Sequence, residues 1–124
     1  MMTDYVATYE KLEERLAQLG SEIPLPYGGF ARLHRKALAD GVLSGKVKEL
    51  MALAVSIAVG CDGCIAYHTH DAVAAGASRE ELLETVGVGL FMGGGPGSIY
   101  AAHALEAIEQ FLGQTQQDRS DEDE

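Results

Sequence analysis

Apolar side chains in this chain recur at three- and four-residue steps and nowhere alternate convincingly. Tyr5, Tyr9, Leu12, Leu16 and Leu19 form the first such stripe, which predicts an amphipathic helix that Gly20 is placed to end as a left-handed cap. The stripe is narrow and suits packing on a neighbour, another subunit included. Pro24 and Pro26 mark a connection, and Phe30, Leu33, Ala37 and Leu38 outline a second helix closing near Gly41. Ser44 offers an N-cap to a third. From Leu50 to Val59 there is no charged residue and the apolar side chains go all round the helical wheel, so this helix is expected to be central and buried on most faces.

Gly60 can stop that helix. A fourth is predicted from near Cys61 through Ala75 to Gly76, its Ala66, Ala72, Ala74 and Ala75 lending strong propensity. Ser78, Arg79, Glu80 and Glu81 form a capping-box pattern ahead of Leu82, Leu83, Val86 and Leu90, which marks a fifth helix. Gly93, Gly94 and Gly95 end it. Pro96 suits the first turn of a sixth, whose Ile99, Ala102, Leu105, Ile108 and Leu112 share a face. The expectation is an all-α single domain of about six helices over residues 1–113, with a core at 44–112 and an acidic, disordered tail at 114–124. Met51 and Met92, at apolar positions, are expected in the core.

Charge narrows the function classes. The net charge is −10, and the segment 118–124 holds five acids and one base, or −4, leaving −6 for the body. Such a surface repels phosphate backbones and anionic lipid, which excludes nucleic-acid and membrane-surface roles. The run from Thr85 to Leu105 lacks Asp, Glu, Lys and Arg and is long enough to span a bilayer, but its six glycines, Pro96 and His103 favour packed helices. Asp4, Glu10 and Glu13 near the start do not fit a secretory signal. A reducing cytoplasm is the expected compartment.

The candidate chemistry lies at Cys61 and Cys64, the only two cysteines, with His68 four residues further on. At about 100° per residue the three project within a roughly 60° stripe, and Cys64 and His68 stand at i, i+4. Free amides at the start of a helix stabilise a thiolate there; Asp62 opposes that. A thiol of pKa about 8.5 is about 3% ionised at pH 7, and lowering it to about 6.5 ionises roughly 75%. Lost nucleophilicity cancels most of that gain, so the net advantage is about threefold. Reducing a peroxide therefore also needs a proton donor for the leaving oxygen and a second thiol to trap the sulfenic acid. His68 and the other cysteine fit those posts without any cofactor. Glu49 opens the apolar third helix on the side of Ala52, Leu53 and Ser56, so its carboxylate is expected in a low-dielectric region suited to proton exchange with an imidazole.

Glu49, eleven residues, Cys61, Asp62, Gly63, Cys64, three residues, His68: this arrangement resembles the alkyl hydroperoxidase D and carboxymuconolactone decarboxylase-like family. The likeness extends through the Gly93–Gly97 turn and the helix at Ala101–Ala107. The resemblance implies an all-helical homo-oligomer, commonly a trimer or hexamer, that reduces hydroperoxides through a redox-active disulfide. It assigns Cys64 as the attacking thiolate, Cys61 as its disulfide partner, and His68 with Glu49 as a proton relay. The electron donor it implies is a lipoylated protein or a thioredoxin-like reductant. Peroxidase members carry a further histidine just before the second cysteine, where this chain has Gly63. Decarboxylase members do not rely on the cysteine pair.

Other readings carry less. A non-catalytic redox sensor or scaffold would use the same pair. Cys61, Cys64 and His68 would serve as zinc ligands with His103 or Glu49 as a fourth, although one Cys-x-x-Cys is poor for a closed structural site. His34 stands among Arg32, Arg35 and Lys36 and is expected at the surface. His70 is expected to cap or face solvent, and His103 to be a hydrogen-bonded packing residue. Tyr67 sits where it can line a pocket. Gly93–Gly97 lacks the Gly-Lys-Ser/Thr ending of a phosphate loop, so close helix packing is expected.

Overall fold

The structure is a computed structural model that describes residues 3–123. Its elements are five helices: α1 (Tyr5–Glu22), α2 (Pro24–Leu38), α3 (Gly45–Val59), α4 (Asp62–Ala74) and α5 (Arg79–Glu122). Gly94, at φ 66° and ψ −150°, is non-helical and breaks α5 into two arms, which are the fifth and sixth helices expected from the pattern. That backbone region is open only to glycine, and Pro96 then falls in the first turn of the second arm, where its missing N–H costs nothing.

Local signals placed most boundaries. The Ser44 hydroxyl accepts from the Val47 amide at 3.2 Å, and Gly60 closes α3 in the left-handed region at φ 74°. Gly76 turns the chain after α4 at φ 92°. The capping box is complete: Glu81 N–H donates to Ser78 Oγ and Ser78 N–H to Glu81 Oε1.

Three boundaries differ from the expectation. Gly20 does not end α1, which runs on to Glu22; a Cβ there would lie 3.1 Å from Tyr27 Cδ1, so its missing side chain serves close approach instead of a turn. Pro24 and Pro26 are not in a connection but in the first turn of α2, where a fixed φ and an absent N–H suit the helix start. The stretch 114–123, expected to be disordered, is helical to Glu122. No Gly or Pro follows Gly113, glutamines favour helix, and Gln117 Nε2 donates to Asp121 Oδ1 one turn on at 3.1 Å. Glu124 lies outside the described residues.

Leu53 and Ile57 of α3 meet Ile65, Ala66 and Ala72 of α4 and Leu82, Ala104, Ile108 and Phe111 of α5, with Tyr5 of α1 closing one end. Each fully buried Leu, Ile or Phe contributes about 1.5–3 kcal/mol. Small residues let the helices approach. A Cβ on Gly89 would lie 2.9 Å from Ile57 Cβ, and one on Gly93 would lie 3.3 Å from Ala58 Cα. Close packing, as expected for Gly93–Gly97, is the use of Gly93 and Gly97, whereas Gly94 serves the kink and Gly95 meets nothing within 4 Å.

Not every face of α3 is covered. Met51, Val55 and Val59, four residues apart, are 54–70% exposed, and Phe91 and Met92 of α5 are 82% and 69% exposed. The expectation of Met51 and Met92 in the core is corrected: they sit at apolar positions of helices whose other face takes the core. Among the described residues no helix is long and apolar enough to cross a membrane. α2 lies at the rim with no buried residue.

Candidate active site

The turn between α3 and α4 builds the site. Gly60 reverses the chain, and Cys61 becomes the N-cap of α4, its Sγ accepting from the Cys64 amide at 3.2 Å. Cys61 is therefore the cap itself, with Cys64 in the first turn. The two are joined by a disulfide, with Cα atoms 5.2 Å apart, inside the range such bonds require. No free thiol stands apart from this pair.

His68 follows one turn after Cys64 and holds its Nδ1 2.8 Å from Glu49 Oε2. Glu49 is 8% exposed, as expected for a carboxylate at the inner side of α3. A buried carboxylate on Nδ1 orients the ring and leaves Nε2 for the cleft. Cys61, Cys64 and His68 all line one cleft of about 310 Å³ with Leu12 and Leu16 of α1, Tyr27, Phe30 and His34 of α2, and Gly63 and Tyr67 of α4. The α1 stripe thus walls this cleft, and the lining is mainly apolar with a thiol couple and imidazoles on one side.

Asp62 beside the couple has its carboxylate taken up by His103 Nδ1 at 2.9 Å and by the Tyr5 hydroxyl at 3.3 Å. His103 is accordingly the hydrogen-bonded packing residue foreseen for it. The sulfurs are bonded to each other, His103 holds Asp62 and Glu49 holds His68, so the zinc set of Cys61, Cys64 and His68 is not assembled with either His103 or Glu49 as its fourth ligand.

Two histidines depart from expectation. His34 is half-buried on the cleft wall, its ring 5.9 Å from Tyr67 and 6.5 Å from His68. Its charged neighbours suggested a surface place, but Tyr27, Phe30 and His34 stand at i, i+3, i+7, a shared face that was the available signal. His70 caps no helix and is only partly open to solvent. Its ring stacks on Tyr9 at 3.7 Å, meets Phe111 edge-on, and places Nδ1 2.8 Å from Asp71 Oδ1. Asp71 itself continues the Cys61, Cys64, His68 stripe at the next three-residue step.

The surroundings shift several protons. Burial pushes the Asp71 carboxyl above its usual range against the hydrogen bond from His70, and the Glu49 charge adds to the rise. Burial, a hydrogen bond to Glu13 and the Glu13 charge raise the Tyr67 phenol. Burial and the charges of Glu13 and Asp71 push Tyr9 up to about 12.

The comparisons agree with this architecture. Residues 24–107 match the carboxymuconolactone decarboxylase family. A Cupriavidus necator protein of unassigned function is 37% identical over 105 residues, covering 85% of this chain and 93% of its own. The structure of lpg0406, a carboxymuconolactone decarboxylase family protein from Legionella pneumophila, superposes with a TM-score of 0.82 at 44% identity, covering 86% of this chain and 96% of its own. A Thermotoga maritima family protein, suggested to be involved in antioxidative response, gives 0.77 at 30% identity, covering 93% and 95%. In sequence and in fold alike, the chain belongs to the carboxymuconolactone decarboxylase family.

Proposed function

We propose that the protein is a thiol-dependent peroxidase or disulfide oxidoreductase that reduces hydroperoxides at the Cys61–Cys64 pair. The observation that carries this is the bonded couple and the Glu49-held His68 lining one apolar cleft. The antioxidative connection suggested for the Thermotoga relative points the same way.

In the reduced protein the Cys64 thiolate attacks one peroxide oxygen, the O–O bond breaks, and His68 delivers a proton to the departing alkoxide. An alcohol leaves, and Cys64 becomes a sulfenic acid. The Cys61 thiol then displaces hydroxide, which takes up a proton to leave as water, and the disulfide closes. Two electrons and two protons from an external dithiol, a lipoylated protein or a thioredoxin-like reductant, reopen it. Glu49 and His68 pass the proton between these steps.

The working form we propose is a homo-oligomer, a trimer or hexamer, in a reducing cytoplasm. The exposed stripe of Met51, Val55 and Val59, with Phe91 and Met92, supports self-association, since contiguous apolar surface of this kind marks interfaces.

A second reading, a redox sensor or scaffold without turnover, is favoured by Gly63 in place of the peroxidase histidine. The two separate by rate. With excess dithiothreitol and an organic hydroperoxide, the catalyst consumes many equivalents per chain far faster than the protein-free mixture, whereas a sensor adds little to that background. Peroxide loss measured against protein concentration decides between them.

His68→Ala tests the relay by pH. Losing a positioned acid–base group costs roughly 10²-fold or more, and that cost is largest at pH 7, where few thiols ionise unaided. Near pH 9.5 solvent base makes the thiolate, so the ratio of parent to variant rates should shrink to about tenfold. A ratio independent of pH from 6.5 to 9.5 removes His68 from the proton path.

A further inference from the structure

His34 on α2, Glu49 on α3 and Asp71 on α4 each bring one donor atom to within 4.8 Å of the others. Three separate helices supply them, so no local periodicity accounts for the meeting. Glu49 is buried and the other two are half-buried. Each carboxylate is also gripped from behind: His68 Nδ1 lies 2.8 Å from Glu49 Oε2, and His70 Nδ1 lies 2.8 Å from Asp71 Oδ1. Ligating carboxylates are oriented by outer partners of this kind.

The geometry points to a binding site for a divalent first-row transition ion held by His34, Glu49 and Asp71. One imidazole nitrogen and two carboxylate oxygens form a donor set suited to Zn2+ or Mn2+ and unsuited to soft Cu+. Three protein ligands leave a position open, as in zinc sites that bind water or substrate. Ligand atoms about 2.0–2.1 Å from zinc stand roughly 3.4 Å apart in a tetrahedron, so the cluster must close by up to about 1.4 Å. His34 sits on the rim helix, where rotation of its side chain can supply that movement. Two carboxylates this close repel each other in a partly dehydrated place, and a dication between them turns repulsion into attraction.

Reduced thiols would offer zinc a rival site, so the test removes them. Untagged full-length protein carrying Cys61→Ser and Cys64→Ser is titrated with zinc sulfate by calorimetry, and with Co2+ by visible absorption. One equivalent per chain is expected, with Co2+ bands of a nitrogen and oxygen ligand field. In that background His34→Ala and Asp71→Asn should each abolish stoichiometric binding, and His70→Ala, which removes only an outer partner, should weaken it about 10–100-fold. Asp71→Asn keeps the side-chain shape, and an unchanged far-UV circular dichroism spectrum certifies its fold. No stoichiometric ion in the serine variant, or equal binding with His34→Ala and Asp71→Asn, overturns the proposal. Zinc taken up only when both thiols are present and reduced also overturns it, by assigning the ion to sulfur. The serine background has no peroxide chemistry, so this result stands or falls apart from the redox reading.

Discussion

Cys64→Ser is expected to lower thiol-dependent hydroperoxide consumption to background, a loss on the order of 10³-fold or more. A serine hydroxyl in the same place is not ionised at pH 7, and the one thiol left, Cys61, is the helix cap placed as the resolving partner, two turns from His68. Cys61→Ser should behave differently. Cys64 can still attack once, but without its partner 5.2 Å away between Cα atoms the sulfenic acid is left open to excess peroxide. Without added thiol, that variant should consume about one equivalent to form the sulfenic acid and then gain two further oxygens as peroxide rises, visible by intact mass. Retained turnover in Cys64→Ser would refute the assignment of Cys64. Equal single-turnover behaviour in both variants would leave the order of the two sulfurs reversed or shared. Peroxide loss coupled to dithiothreitol oxidation answers for Cys64→Ser, and intact mass after peroxide without added thiol answers for Cys61→Ser, with the parent beside both.

The residues that make this experiment possible were visible before any coordinates because they lie on one helix. Cys61, Cys64 and His68 obey a single local geometry, and a stripe at steps of three and four needs only helix to be present. Glu49 was legible for a second local reason, the apolar run behind it, which pulls the head of α3 inward. What the sequence could not deliver was contact between separate elements. His34 reaches the cleft because α2, packed on α1 and α3, turns its ring toward Tyr67 and His68 of α4, and the basic residues around it are exposed on the same helix. His70 is a like case: the stacking of Tyr9 on its ring depends on how α1 crosses α4. Met51 and Met92 expose the converse gap. Apolarity marks a residue for burial without naming the partner, and within one chain α3 is covered on all but the face of Met51, Val55 and Val59.

Glycine signals divide along the same line. Gly60, Gly76 and Gly94 act through their own backbone angles, and each was placed at a helix boundary from the pattern. Gly20 acts through a ring seven residues away, which turned an apparent stop into a packing notch.

Gly89 belongs to the packing kind, and its replacement is expected to have the largest effect on stability. A Cβ there would sit 2.9 Å from Ile57 Cβ and 3.0 Å from the Ala54 carbonyl oxygen. Neither atom is the free end of a flexible side chain, so relief requires α5 to move away from α3. That shift would loosen Ile57 and Leu53, both with no exposed surface. Gly89→Val adds two further methyls to the overlap, and overpacking of this severity costs about 3 kcal/mol. For a domain of this length each kcal/mol moves the midpoint by roughly 4 °C, so thermal unfolding followed by circular dichroism should fall about 12 °C. Gly87, two residues earlier on the same arm, has nothing within 4 Å of its would-be Cβ. Gly87→Ala should therefore gain about 0.5–1 kcal/mol from backbone entropy alone. Opposite signs at positions two residues apart follow only if Gly89 is the contact on which α5 closes against α3. A Gly89→Val midpoint within 2 °C of the parent would mean that the two helices meet elsewhere.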